Sequence, residues 1–158
     1  MNTSMFSSIS SEWETPQELF DSLNSLYGFT IDVAATDDNA KCKRYFTKEN
    51  DGLSQSWAQE CVWCNPPYGR EIGKWVRKAF QEAKQPGTVV VMLLPARTDT
   101  AWFHDCCRFG DVIFLRGRLK FINRTFPSYR EDGDFKRSPA QFPSMIVKFG
   151  GKINETDL

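Results

Sequence analysis

Residues 61–70 read CVWCNPPYGR. The run Cys61–Cys64 is apolar enough for a buried strand, and it stops at Asn65, two prolines and Tyr68. Two successive prolines fix φ twice and remove two N–H donors. Pro66 also pushes Asn65 out of the helical region. The expected result is a stiff, extended turn at a strand end, with Asn65 and Tyr68 held in little conformational freedom. Such a turn can offer acceptors to an amino group and a ring to a flat molecule. An ordinary stiff turn with Tyr68 capping the core would use the same residues, so the rest of the chain has to decide.

Moving outward, TVVVMLLP at 88–95 is a continuous β-branched run, as expected of a strand covered on both faces. Between the two runs, Ile72, Trp75, Val76, Ala79, Phe80 and Ala83 make one helical stripe, ended by Pro86-Gly87. Upstream, TPQE at 15–18 fits a capping box, with Thr15 as N-cap, Pro16 at the first helical position and Glu18 reaching back. Leu19, Phe20, Leu23, Leu26 and Tyr27 follow at helical spacing, and Gly28 stands where a helix stops. FTIDVAA at 29–35 reads as a buried strand. Downstream, Thr98 or Asp99 can cap a short helix through Trp102, Phe103, Cys106 and Cys107. DVIFL and RLKFI read as strands joined at Arg116-Gly117, and SMIVKF at 144–149 as a last strand.

Strands alternating with helices predict an α/β fold: a single-domain, Rossmann-like open sheet, mostly parallel, with an antiparallel C-terminal strand. The domain is expected over 12–150, between a Ser-rich flexible N-terminus at 1–11 and a tail at 151–158. In such sheets ligands bind at the carboxyl ends of the strands, which would put DVAA and NPPY beside one cleft.

The 158 residues carry 20 Lys+Arg and 20 Asp+Glu, so a nucleic-acid binder of this composition must gather its positive charge on one face. This argues against a purely electrostatic coat protein, not against an enzyme that reads a short site. No basic-then-apolar leader opens the chain, and no apolar run approaches the ~20 residues that span a bilayer. Five cysteines, two of them adjacent, make no disulfide framework; a reduced, cytoplasmic chain is expected. Cys61 and Cys64 have zinc-like spacing, with Cys42, His104, Cys106 and Cys107 as further candidate ligands. A strand points Cys61 and Cys64 to opposite faces, so no metal site is expected. Arg116, Arg118, Lys120, Arg124, Arg130, Lys136 and Arg137 interleave with Phe121, Phe126, Tyr129 and Phe135 across the polar stretch 116–143, a pattern suited to nucleic acid. Glu131, Asp132 and Asp134 cancel part of that charge.

Asn-Pro-Pro-Tyr after an apolar strand resembles the catalytic motif of S-adenosylmethionine-dependent methyltransferases that act on amino groups. The blocks WETPQELF, DVAATDDNAKCKRYFT, DGLSQSW, VWCNPPYG, LLPARTDTAWFH, GRLKF and FPSMIVKFG resemble, in order, those of the phage-type Dam DNA N6-adenine methyltransferases, from about Trp13 to Gly150. The resemblance implies transfer of a methyl group from S-adenosylmethionine to a flipped adenine, and the cytoplasm of a bacterial host. It implies that Asn65, through its side-chain oxygen, and Pro66, through its carbonyl, accept the two N6 hydrogens. Pro67 completes the turn, and Tyr68 stacks on the base. It further implies that Asp32 holds the methionine ammonium, with Ala34 beside it. Thr15 and Pro16 meet the carboxylate end, Asp51 and Leu53 meet the adenine, and Asp37 or Glu49 takes the ribose. Arg97 joins the DNA contacts. The Gly-rich turn usual after the first strand of such enzymes is absent here. Two other functions use the same residues: a methyltransferase acting on a protein amide, and a non-catalytic DNA-binding module that has lost its cofactor.

Overall fold

The computed structural model describes residues 13–124 and 136–151. Helix α1 (Gln17–Tyr27) leads into strand β1 (Ile31–Asp32), a 3-10 turn (Gly52–Ser54), β2 (Cys61–Cys64), α2 (Ile72–Glu82) and β3 (Val89–Pro95). Helix α3 (Ala101–Asp105), a 3-10 turn (Cys107–Phe109) and strands β4 (Asp111–Phe114), β5 (Lys120–Asn123), β6 (Lys136–Pro139) and β7 (Ser144–Gly150) follow. One sheet runs β1-β2-β3-β7-β4, and β5 and β6 form a separate hairpin. β1, β2 and β3 are parallel, whereas β7 runs antiparallel to both β3 and β4. The expected α/β sheet with an antiparallel last strand is therefore the fold observed.

The core explains why these segments became elements. β3 is fully buried from Val90 to Leu94 and pairs with β7 along all seven residues, from Val89↔Gly150 to Pro95↔Ser144. A strand between two others with helices over it has no solvent face, so it carries no polar alternation. α2 buries Ile72, Trp75, Val76 and Ala79, and Trp75 stacks on the fully buried Trp57 at 6.3 Å. α1 ends as expected at Gly28, in the left-handed region at φ 66°.

Three expectations change. DVIFL and RLKFI both give strands, but they do not pair with each other: β4 closes the edge of the main sheet on β7, while β5 pairs with β6. The short helix is capped by Thr100, which accepts from Phe103 N–H, not by Thr98 or Asp99. Thr15 does not cap α1, because its hydroxyl is engaged elsewhere; Leu19 and Phe20 N–H bond the Pro16 carbonyl.

The strand expected over 29–35 is shorter in its ladder for a reason that matters to the site. Asp32 carries the segment Arg44–Phe46 on its other edge, where Asp32 N–H bonds Arg44 O and Phe46 N–H bonds Asp32 O, while Val33 N–H still bonds Trp63 O of β2. The intervening turn is built by Thr36 and Asn39, each side chain accepting from the other's N–H. No residue from Ala34 to Lys41 has positive φ, so the missing glycines are not needed. Glycine is needed at Gly52, where a Cβ would lie 2.3 Å from Val33 O and 3.1 Å from the Trp75 ring. Gly52→Ala should therefore push the 52–54 turn off β1 and destabilise the fold by about 1–3 kcal/mol, the scale of overpacking. Thermal unfolding checks it, with a drop of several degrees expected.

Candidate active site

The carboxyl ends of β1 and β2 open into one cavity of about 530 Å³, within the range of small-molecule sites. Its wall includes Trp13, Thr15, Asp32, Ala34, Lys41, Gly52, Leu53, Trp63, Asn65 and Trp75. DVAA and NPPY thus share one cleft, as expected.

Asn65 is held from two sides. Its Nδ2 donates to Trp13 O at 2.5 Å and to Thr15 Oγ1 at 3.0 Å. Its Oδ1 is buried and has no hydrogen-bond partner among the described residues. The amide is thereby oriented: the nitrogen is spent on the strap Trp13–Thr15, and the oxygen is left as an acceptor beside the cavity. A buried acceptor without a donor is costly, and such sites call for an explanation.

The strap is itself tied down. Ile122 N–H bonds Glu14 O, joining the strap to β5. The Glu14 carboxylate, almost fully buried, accepts from Arg124 Nε at 2.5 Å and Nη2 at 2.8 Å. The Trp13 ring meets Phe121 at 5.3 Å and Phe142 at 5.5 Å, edge to face.

Asp32 is buried at the end of β1. Its Oδ1 accepts from Ala34 N–H at 3.3 Å and its Oδ2 from Lys41 N–H at 3.0 Å. Burial nevertheless pushes its carboxyl up to about 6, the two backbone bonds and the Lys41 charge offsetting only part of the desolvation. Asp37, Glu49 and Asp51 also line the cavity. Asp37 already accepts from the Tyr45 hydroxyl, and Asp51 sits in the left-handed region at φ 54°.

Several expected site residues lie elsewhere. Tyr68 is in the core, its hydroxyl donating to Leu93 O and its ring meeting Phe121 and Phe142 edge to face. It anchors the turn and presents no open face for stacking. Phe121 is fully buried among these rings, so it is a core residue and not a DNA contact. Pro16 lies outside the cavity at the start of α1; Pro66 is buried, and Pro67 lines the cavity. Arg97, Arg116, Arg118 and Lys120 are exposed, whereas Arg124 is committed to Glu14. Arg130 and the side chains of Lys136 and Arg137 lie outside the described residues. Cys61 Sγ bonds Tyr27 O, and among the described residues no His, Cys, Asp or Glu cluster suited to a metal occurs. His104 bonds Thr98 O, bracing the loop before α3. Lys41 and Glu14 were not marked by any local pattern; each acts through partners far along the chain.

The raised Asp32 carboxyl predicts a pH dependence. A ligand ammonium needs the ionised form, so its affinity should be flat above about pH 7 and fall up to tenfold per unit below pH 6. For the protein alone the sign is opposite: a raised acid gives stability that is fully present below the unfolded value and lost as pH rises through about 6. Calorimetry of S-adenosylmethionine between pH 5 and 8 checks the first effect, and Asp32→Asn should flatten it.

A model of the family described as DNA N-6-adenine-methyltransferase (Dam) matches residues 2–147. A protein of Escherichia phage T1 named DNA N-6-adenine-methyltransferase is 34% identical over 110 residues, which cover 68% of this chain and 45% of that protein. A protein of the same name from Haemophilus phage HP1 (strain HP1c1) is 30% identical over 144 residues, 89% of this chain and 79% of that one. The chain therefore spans less than half of the T1 protein and most of the HP1 protein. A solved Thermoplasma acidophilum chain whose description names a methyltransferase is 13% identical and covers 88% of this chain and 66% of that one. Its TM-score is 0.41, too slight a likeness to argue from. By the match over nearly its whole length, the chain belongs to the DNA N-6-adenine-methyltransferase (Dam) family.

Proposed function

We propose that this chain transfers a methyl group from S-adenosylmethionine to the exocyclic N6 amino group of adenine in DNA. The observation that carries the reading is Asn65: an amide whose nitrogen is committed to two bonds and whose buried oxygen has no partner among the described residues. A fixed lone acceptor at a cavity wall suits an N–H that arrives with the substrate. S-adenosylmethionine, when bound, supplies the electrophilic methyl group. The residues of the chain do the positioning. Asn65 Oδ1 and the Pro66 carbonyl accept the two amino hydrogens, which draws the nitrogen lone pair out of conjugation with the ring and aims it. The adenine has to leave the base stack to reach them.

The cavity fits the cofactor on its own evidence. Asp32 is a buried carboxylate with no ion pair among the described residues, suited to an ammonium. Trp63, Trp75 and Leu53 give apolar walls for a nucleoside. Gly52 lets the wall approach the end of β1 where a side chain would not fit. Glu49 or Asp37 would hold the ribose, and Asp51 would accept from the adenine amino group; all three line the cavity. DNA lies over the exposed Arg97, Arg116, Arg118 and Lys120. Relatives in two phages favour action inside a bacterial host, and among the described residues no helix is long and apolar enough to cross a membrane. The test is incubation with adenine-containing duplex and S-adenosylmethionine, followed by mass spectrometry of the nucleosides. N6-methyladenine is expected, and its absence beside bound cofactor would sink the reading.

Two variants probe the chemistry. Asn65→Ala should cut turnover by about 10²–10³, the cost of one preorganised hydrogen bond. It should also destabilise the fold by about 1–2 kcal/mol through the two lost strap bonds. From the sequence, Asn65→Asp keeps an acceptor of equal size and should keep activity. In the structure its second oxygen would face Trp13 O, two acceptors in contact, so methyl transfer by Asn65→Asp should be poor at pH 8 and recover as pH falls. Initial rates at saturating cofactor across that range check it. Replacing Arg116, Arg118 and Lys120 with Gln should weaken DNA binding and reduce the slope of log affinity against log salt by up to about 3. An unchanged slope in a filter-binding titration would make this face a solvated surface.

A further inference from the structure

The cavity contains a second buried charge that the reading above leaves without a role. The turn built by Thr36 and Asn39 folds the chain back so that Lys41 N–H reaches Asp32 Oδ2. This places the Lys41 side chain, only 6% exposed, in the cavity wall. Its ammonium donates to Gln17 Oε1 at 2.9 Å and lies 3.5 Å from Glu14 Oε1. Glu14 is not a dedicated counter-ion, because the Arg124 guanidinium bonds both of its oxygens at shorter distances. Burial, with Arg124 nearby, lowers the Lys41 pKa, and Glu14 offsets this in part.

Asp32 and Lys41 thus line one cavity with opposite charges, and among the described residues no ion pair joins the Lys41 ammonium to the Asp32 carboxylate. Each is held by its own bonds. The Asp32 carboxylate has no ion pair among the described residues, and Lys41 shares Glu14 with Arg124, so both buried charges are incompletely compensated, which is expensive. A ligand that brings an ammonium and a carboxylate a few ångströms apart neutralises both at once. The chemical group of that description is an α-amino acid zwitterion.

We propose that Lys41 binds the α-carboxylate at the amino-acid end of S-adenosylmethionine while Asp32 binds the α-ammonium, so that the cavity selects the zwitterion by two charges. The proposal rests on the S-adenosylmethionine reading. It moves the carboxylate contact from Thr15 and Pro16 to Lys41. The Thr15 hydroxyl already accepts from Asn65, and Pro16 stands outside the cavity.

The test is calorimetric titration of the full chain with S-adenosylmethionine and with decarboxylated S-adenosylmethionine, which keeps the sulfonium and the amine and lacks only the carboxylate. Wild type should bind the intact cofactor roughly ten- to a hundredfold more tightly, the scale of a charge-assisted bond. Lys41→Met should weaken intact cofactor by a similar factor, change the decarboxylated ligand little, and so erase the preference. Lys41→Arg should keep part of it. Wild type binding both ligands equally would overturn the proposal without needing any variant to fold. So would Lys41→Met weakening both ligands to the same degree, since that would make Lys41 only a support for Glu14. If wild type binds neither ligand, the cofactor reading itself fails and the Lys41 assignment falls with it; binding of cofactor without the preference removes Lys41 alone.

Discussion

The hydrogen bonds from Asn65 Nδ2 to Trp13 O and Thr15 Oγ1 are the constraint on which the site depends. They join the turn after β2 to a strap that lies 50 or more residues earlier in the chain. They also decide which end of the amide faces the cavity. If the amide were reversed, its oxygen would confront the Trp13 carbonyl and its nitrogen would face the substrate, giving a donor where the chemistry needs an acceptor. The stiff prolines place Asn65, but the strap orients it.

The strap extends that constraint to the rest of the molecule. Through Glu14 it reaches Arg124 and the β5–β6 hairpin by a backbone bond and a bidentate ion pair. Through Trp13 it joins the ring cluster of Phe121, Phe142 and Tyr68, and Tyr68 in turn bonds the β3 backbone. The basic surface at the hairpin and the turn at Asn65 are therefore parts of one connected body. Glu14 is buried and pairs with both Arg124, which reaches solvent, and the buried Lys41, so removing Glu14 would leave the Lys41 ammonium without its counter-charge, which costs more than an exposed pair is worth.

What could be read in the sequence was what local pattern encodes. CVWC and VVVMLLP are strands because they are buried on both faces, and burial of that kind leaves a continuous apolar run. Gly28 stops α1 because a left-handed residue is needed there. That ligands bind at the carboxyl ends of strands in such sheets put DVAA and NPPY beside one cleft, and their likeness to a known family said what chemistry to expect there. What could not be read depends on partners distant in sequence. Thr15 has every local mark of a helix cap, yet its hydroxyl serves Asn65. Phe121 sits among basic residues and looks like a nucleic-acid contact, yet alternation along β5 turns it into the core. RLKFI follows DVIFL closely, but its partner is β6. Lys41 sits in a run of polar residues, and only the turn at Thr36–Asn39 brings it under Asp32. The absent glycines after β1 reflect that same turn, which uses side-chain acceptors and no positive φ.

The account stands or falls on where the cofactor lies relative to Asn65, and a crystal structure with S-adenosylhomocysteine measures this directly. The expected result is a ligand in the cavity at the ends of β1 and β2, its ammonium within hydrogen-bond distance of Asp32 and its sulfur turned towards Asn65 Oδ1. A ligand seated elsewhere, or one whose sulfur points away from a reversed Asn65 amide, would contradict it.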